Sequence, residues 1–158
     1  MNQNEMLIAK FYSSFSKKDY NSMNECYANN ATFNDPVFKD LDAIQLKSMW
    51  EMLCIKGKDL EIEFDNIIAN DDTGSAQWKA TYSFSATGKK VINYIKAEFT
   101  FENGKILKHT DYFNFYNWSR QALGLIGFIF GWTPFLKNKI RKLAMKNLLY
   151  FMRQHQFV

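Results

Sequence analysis

The spacing of apolar residues along this chain changes character near residue 60. Before that point it has a helical period. Leu7, Ile8, Phe11, Tyr12 and Phe15 recur at intervals of three and four, which predicts an amphipathic helix over residues 3–18. Asp19 is placed to cap a second helix running through Met23, Cys26 and Tyr27, with Asn29-Asn30 as its stop. A short extended piece over residues 31–33 leads into Asn34-Asp35-Pro36-Val37. Pro36 excludes Asp35 from the helical region, so Asp35 belongs at a strand end or in a turn. Asp40 or Asp42 opens a third helix whose predicted inner face is Leu41, Ile44, Ser48, Met49, Met52 and Leu53.

From residue 60 the period is two. Leu60, Ile62, Phe64 and Asn66 alternate with Glu61, Glu63 and Asp65. Ala76, Trp78, Ala80, Tyr82 and Phe84 form a second row, and Val91, Asn93, Ile95, Ala97, Phe99 and Phe101 a third. Leu107, His109, Asp111, Phe113 and Phe115 form the last. Asp71-Asp72-Thr73-Gly74, Thr87-Gly88-Lys89 and Asn103-Gly104 are the turns between them. Three helices followed by four long antiparallel strands, each polar on one face, predict an α+β fold. Its curved, cone-shaped antiparallel sheet wraps over the N-terminal helices. We expect this cone to occupy residues 1–117 and a helical extension, packed on the same domain, residues 118–158.

The extension is unlike the rest. Residues 122–136 carry no charge and hold Gly124, Gly127 and Gly131. The run is too short for a spanning helix, which needs roughly 20 apolar residues, and Pro134 interrupts it. Residues 137–153 then read as a basic amphipathic helix. Charge divides at the same place. Residues 1–111 hold 13 Lys and Arg against 16 Asp and Glu, whereas residues 112–158 hold 7 Lys and Arg and no acid. A nucleic-acid binder basic throughout would not look like this, so no nucleic-acid partner is expected.

Composition adds aromatic richness. There are 15 Phe, 8 Tyr and 4 Trp against 7 Gly and 2 Pro, which points to a core or cavity lined by rings rather than a loop-rich scaffold. Cys26 and Cys54 have no metal-ligand spacing, and residues 1–10 lack a basic start followed by an apolar run. A reduced, cytoplasmic setting is the expectation.

One row carries chemistry. His109 and Asp111, two apart on a strand, point the same way, onto the face of Phe113 and Phe115. Asn93 and Tyr82 occupy the inner rows of neighbouring strands. A buried Asp is costly unless it is paired, hydrogen-bonded or protonated. The blander reading is a structural His–Asp pair; the sharper one is a lined ligand pocket. Asp35 is the second candidate carboxylate, more simply a turn residue. No metal triad, glycine-rich phosphate loop or nucleophile elbow is present in the sequence.

The order of elements, with Asp35-Pro36-Val37 and His109-Thr110-Asp111, resembles the SnoaL-like polyketide cyclases of the nuclear-transport-factor-2-like superfamily. Ketosteroid isomerase and limonene epoxide hydrolase belong to the same superfamily. The resemblance covers about residues 3–116. It implies an α+β cone and matches Asp35 with the isomerase's general base. The two oxyanion-hole donors of that enzyme fall at about Phe11 and Ala97, which cannot donate, with Tyr12 adjacent on another face; steroid-type isomerisation is therefore not implied. His109 and Asp111 lie where the cyclases hold their acid/base aspartate and its neighbouring histidine.

The expectation is a small-molecule pocket without a cofactor or metal. Asp111 serves as general acid/base, oriented by His109, with Asp35 as a second base or water-orienting group. Trp78, Tyr82, Asn93, Phe113, Phe11 and Trp50 place a small apolar carbonyl or epoxide compound for isomerisation, cyclisation or hydrolysis. The alternatives are a non-catalytic binder of a lipid or aromatic metabolite, and docking to a membrane surface or partner through the basic helix. A homodimer packed through the outer sheet face is expected. For Leu125, Phe128, Phe130 and Phe135 the expectation is that they cap the cone's open end or meet a second subunit.

Overall fold

The computed structural model describes residues 1–156. Helix α1, Gln3–Ser16, starts in a capping box between Asn2 and Glu5. The Asn2 side chain also donates to the Ala69 carbonyl at 2.7 Å, which ties the start of the helix to the sheet. Helix α2, Tyr20–Glu25, is capped by Asp19 as expected. It ends sooner than its sequence suggests. Tyr27 already belongs to strand β1, Tyr27–Asn34, so Asn29 and Asn30 lie within a strand instead of ending a helix. An irregularity between Tyr27 and Thr32 hides the period of two there.

Helix α3, Ala43–Lys56, begins at Asp42 with a second capping box, closed by Gln45. Its inner face is centred on Leu46, Met49 and Trp50, while Ile44 is exposed. The expected face was thus rotated by part of a turn.

Strands β2 (Glu61–Ala69), β3 (Thr73–Ser83), β4 (Lys90–Glu102) and β5 (Lys105–Tyr112) follow. Together with β1 they make one five-stranded sheet in the order β1-β5-β4-β3-β2. All pairs are antiparallel except β1 with β5, which is parallel. The sheet thus gains a strand beyond the four expected. The Asn103-Gly104 turn has both residues at positive φ, 51° and 73°, as a tight two-residue hairpin requires.

Two bulges shift the rows. Asn66, at φ 50°, breaks the register of β2, so Asn66 faces solvent instead of the core and Ile67 turns toward the core. In β5 a bulge brings Ile106 opposite Phe101 and leaves Leu107 only half-buried. The strand also stops at Tyr112. Phe113 lies just beyond it, and Phe115 opens helix α4, Phe115–Leu123, in place of the strand position expected.

The main core lies between the inner sheet face and α1 and α3. A smaller cluster of Val91, Phe115, Trp118 and Ala122 fastens α4 to the far end of β4. There β5 has run out, and the Gln121 side chain takes over. Its oxygen accepts from Ile92 N at 2.8 Å and its nitrogen donates to Ile92 O at 3.1 Å. Helix α5, Leu125–Phe130, and helix α6, Pro134–Gln156, complete the chain. Pro134 opens α6, where its missing N–H costs nothing.

Leu148 and Phe151 of α6 are sunk in the main core, Ile140 joins the smaller cluster, and Arg141 Nε donates to the Pro36 carbonyl at 2.9 Å. These residues cover the cone. Leu125, Phe128, Phe130 and Phe135, expected to cap the cone or meet a second subunit, are all exposed and do not cap it. The side of α5 that meets the protein is its glycine side. Among the described residues, no helix is long and apolar enough to cross a membrane.

Candidate functional site

Alternation along β5 turns His109 and Asp111 inward, and β4 sets Phe99 opposite His109 and Ala97 opposite Asp111. The alanine leaves room for the carboxylate. A chain of hydrogen bonds runs through the pair. Trp50 Nε1 lies 2.9 Å from the Tyr27 hydroxyl, which lies 2.7 Å from His109 Nδ1. His109 Nε2 is 2.9 Å from Asp111 Oδ1, and Trp78 Nε1 reaches the same oxygen at 3.4 Å.

An indole can only donate, so the Tyr27 oxygen accepts from Trp50. One assignment then satisfies every group: Tyr27 O–H donates to Nδ1, and a neutral His109 donates its Nε2–H to Asp111. The donors all point toward one carboxylate.

The imidazole is walled in. Trp50 and Tyr27 stack on it at interplanar angles of 23° and 22°, Phe11 and Phe33 meet it edge-on, and the Phe99 ring centre is 4.5 Å away. His109 is 1% exposed and Asp111 3%. Phe11 and Trp50 therefore wall the histidine.

Asp35 follows the last residue of β1 and is half-buried. Pro36 bends the chain as it leaves β1, and Asp35 Oδ1 accepts from Val37 N at 2.7 Å and Phe38 N at 2.6 Å. Burial pushes its carboxyl from the usual 3.8 up to about 7. The two N–H bonds oppose that rise, the charge of Asp111 adds to it, and Lys39 slightly offsets it. Asp35 and Asp111, far apart in sequence, thus lie within electrostatic reach of each other.

Tyr82 belongs to the same region. Burial raises its hydroxyl, the N–H of Trp118 lowers it, and the charge of Asp35 raises it. Trp118 Nε1 donates to the Tyr82 oxygen at 2.8 Å, which leaves the Tyr82 proton for another acceptor. Tyr82, Phe113 and Val37 pack against both apolar clusters, so they mark the seam between them. Asn93 lies between Ala97 and Val91 on the inner row of β4, opposite Ala80. It is buried, and among the described residues no side-chain hydrogen bond engages it.

Three contributors were missed in the sequence. Tyr27 was hidden by the irregularity in β1. Trp118 lies in the extension, outside the rows that drew attention. Tyr12 was set on a face away from Phe11, yet both are fully buried. Tyr12 packs on Phe64, Trp78 and Phe99, and its buried hydroxyl has no hydrogen-bond partner among the described residues. Burial first, then the charges of Asp111 and Tyr27, drive its ionisation far above the ordinary range.

A hollow of about 850 Å3 is lined by Glu63, Lys79 and Lys96 and also by the apolar Trp78, Ile95 and Phe113. Asp35, Tyr82, His109 and Asp111 do not line it. Among the described residues, His, Cys, Asp and Glu nowhere gather in a group of three fit to hold a metal ion.

Comparison with known proteins agrees with this fold. A family model described as a SnoaL-like domain matches residues 8–109. No curated protein matches the chain. Solved structures do. A candidate polyketide cyclase from Xanthomonas campestris pv. campestris superposes with a TM-score of 0.64 at 17% identity, over 75% of this chain and 96% of that one. An LEH-like epoxide hydrolase from M. tuberculosis gives 0.63 at 14% identity, over 80% and 95%. A protein of ketosteroid isomerase-like fold from Catenulispora acidiphila, in complex with trimethylamine, gives 0.66 at 12% identity, over 81% and 97%. At these identities the likeness is one of fold.

Proposed function

Because this chain belongs to the SnoaL-like domain family, we propose that it binds a small, largely apolar carbonyl or epoxide compound. It moves a proton on that compound, as an acid/base isomerase, cyclase or hydrolase. The observation that carries this reading is the contrast between two neighbouring carboxylates. Asp111 is held by the donors of His109 and Trp78, whereas Asp35 is desolvated and titrates at about 7.

Burial sets the roles. His109 is enclosed by rings and acts as the positioning residue of Asp111, not on substrate. The charge of Asp111 helps hold Asp35 near neutrality. Asp35, at the half-buried turn, is the group that takes a proton from substrate carbon, or from an attacking water, and returns it. A general base is most effective with its pKa near the working pH. In the carbonyl case the electron pair released at carbon moves to the carbonyl oxygen, where the Tyr82 O–H and the Asn93 amide donate. Trp78, Phe113 and Val37 supply the apolar wall. None of these steps calls for a cofactor.

The enclosure of His109 also favours a second reading, in which the same inner face binds an apolar metabolite without turning it over. One experiment separates the two. Organic extracts of the purified protein are analysed by mass spectrometry, and the compounds found are assayed for turnover across pH. Proton transfer by Asp35 predicts a rate with an inflection near 7 that Asp35→Asn abolishes. A compound held but unchanged supports binding alone. Turnover as fast in Asp35→Asn as in the wild type overturns the assignment.

A further inference from the structure

Helix α5 is packed inside out. Its small residues face the protein: a Cβ at Gly127 would lie 1.9 Å from the Ser119 carbonyl oxygen, and one at Gly131, just past the helix, 2.1 Å from Ser119 Oγ. Its large residues face outward. Leu125, Ile126, Phe128, Ile129 and Phe130 are exposed, as are Trp132 (74%) and Phe135 (76%) in the segment that follows. A helix surrounded by water buries the large residues and exposes the small. Glycine faces turned inward and bulky apolar side chains turned outward are the arrangement of helices that meet lipid.

The backbone of this knuckle is prepared for an apolar medium as well. The last carbonyls of a helix are ordinarily left to water. Here Gly127 O accepts from Gly131 N at 2.8 Å, and Phe128 O from the Tyr116 hydroxyl at 2.9 Å. Ile129 O accepts from Trp132 Nε1 at 2.9 Å, and Phe130 O from Thr133 N at 2.9 Å and Thr133 Oγ1 at 2.6 Å. All four C-terminal carbonyls of α5 are satisfied within the protein, as burial in hydrocarbon demands.

Helix α6 adds the charge. Phe135, Lys139, Lys142, Lys146 and Arg153 recur at helical spacing along its exposed face, joined by Leu149 and Tyr150. The face opposite them is the one sunk in the core through Ile140, Ala144, Leu148 and Phe151. No acid interrupts the row, since residues 112–158 contain none. The rest of the chain is net acidic, so a negative surface would attract this end and repel the other.

From these features we infer that the protein docks on an anionic lipid surface, the α5 knuckle entering the interface and the α6 lysines lying over the headgroups. A second copy is the weaker occupant. A two-fold contact through this surface would set one basic face against another, like charge on like.

The chain carries its own reporter. Trp50, Trp78 and Trp118 are buried, and Trp132 is exposed. The full-length protein is titrated with vesicles of phosphatidylcholine, with and without phosphatidylglycerol, at low and high salt. Docking predicts a blue shift of Trp132 emission and protection from an aqueous quencher on the anionic vesicles, weakened by salt and absent in Trp132→Phe. Lys139→Gln with Lys142→Gln and Lys146→Gln should weaken binding on the order of 150-fold, from roughly a factor of five per removed surface charge. Phe128→Ser with Phe130→Ser, both at exposed positions, should abolish the shift without altering far-UV circular dichroism. No shift on any vesicle overturns the inference. So does emission already blue and shielded without lipid in a protein that light scattering shows to be a dimer.

Discussion

The Tyr27 hydroxyl and His109 Nδ1 lie 2.7 Å apart, a contact that joins the first residue of β1 to the middle of β5. Tyr27→Phe would remove the shared oxygen from two buried groups at once, the Trp50 N–H and the histidine nitrogen. Each buried polar group left unpartnered costs roughly 1–3 kcal/mol. Denaturant unfolding should therefore show a loss of about 2–6 kcal/mol, more than the half-kcal/mol scale of an exposed substitution. A near-neutral Tyr27→Phe would mean that the chain of donors does not hold His109. In the wild type, nitrogen-detected NMR should find the His109 proton on Nε2.

The carboxyl of Asp35 predicts a pH dependence of stability with a definite sign. Its value rises from 3.8 to about 7 on folding. Between those values the unfolded chain has released a proton that the folded chain keeps. Stability is then fully present below about 4 and falls as pH rises toward 7. The ceiling of the effect is ~4 kcal/mol, reduced because the group is only half-buried. Asp35→Asn can keep the two backbone N–H bonds through its amide oxygen and should flatten this slope, gaining on the wild type at pH 8 and not at pH 4. Thermal melts across the range check it; parallel curves for the two proteins would contradict the burial of that carboxyl.

How much of this was legible in the sequence follows from which residues obey a period. Trp78, Tyr82, Asn93, His109 and Asp111 lie on regular stretches of their strands, clear of the bulge before Lys108, so alternation placed them inside. Asp35 was placed by the steric rule of Pro36. What the pattern could not show came from departures from regularity. The irregularity after Tyr27 concealed the partner of His109, and positive φ at Asn66 reversed the faces of β2. The end of β5 at Tyr112 moved Phe115 into a helix. The extension misled for another reason. A run such as 122–136 is apolar on every side, so periodicity does not say which side is buried; the contacts of Gly127 and Gly131 decide it.

Those glycines give a third prediction. A Cβ at Gly127 would sit 1.9 Å from a backbone oxygen, which no side-chain rotation relieves, so α5 must lift away from α4. Gly127→Ala should loosen the knuckle and leave the core alone. Limited proteolysis is expected to cut between residues 120 and 135 faster in the variant, with near-UV circular dichroism of the buried tryptophans preserved. Equal resistance in both proteins would show that α5 is not held by that contact.

Tyr12 supports the last prediction. Its hydroxyl is buried with no partner, in electrostatic contact with Asp111. A polar group buried without a hydrogen bond costs roughly 1–3 kcal/mol, and replacing it with an apolar group of like shape relieves that cost. Tyr12→Phe keeps the ring against Phe64 and Trp78 and removes only the oxygen. It should hold stability constant or raise it by about 1 kcal/mol in urea unfolding. The opposite sign would mean that the hydroxyl has found a bond, such as one to a retained ligand. If the variant is more stable yet loses turnover of whatever compound the extracts yield, the unpaired donor is maintained for substrate, a stability cost of the kind that sites retain when the chemistry uses the group.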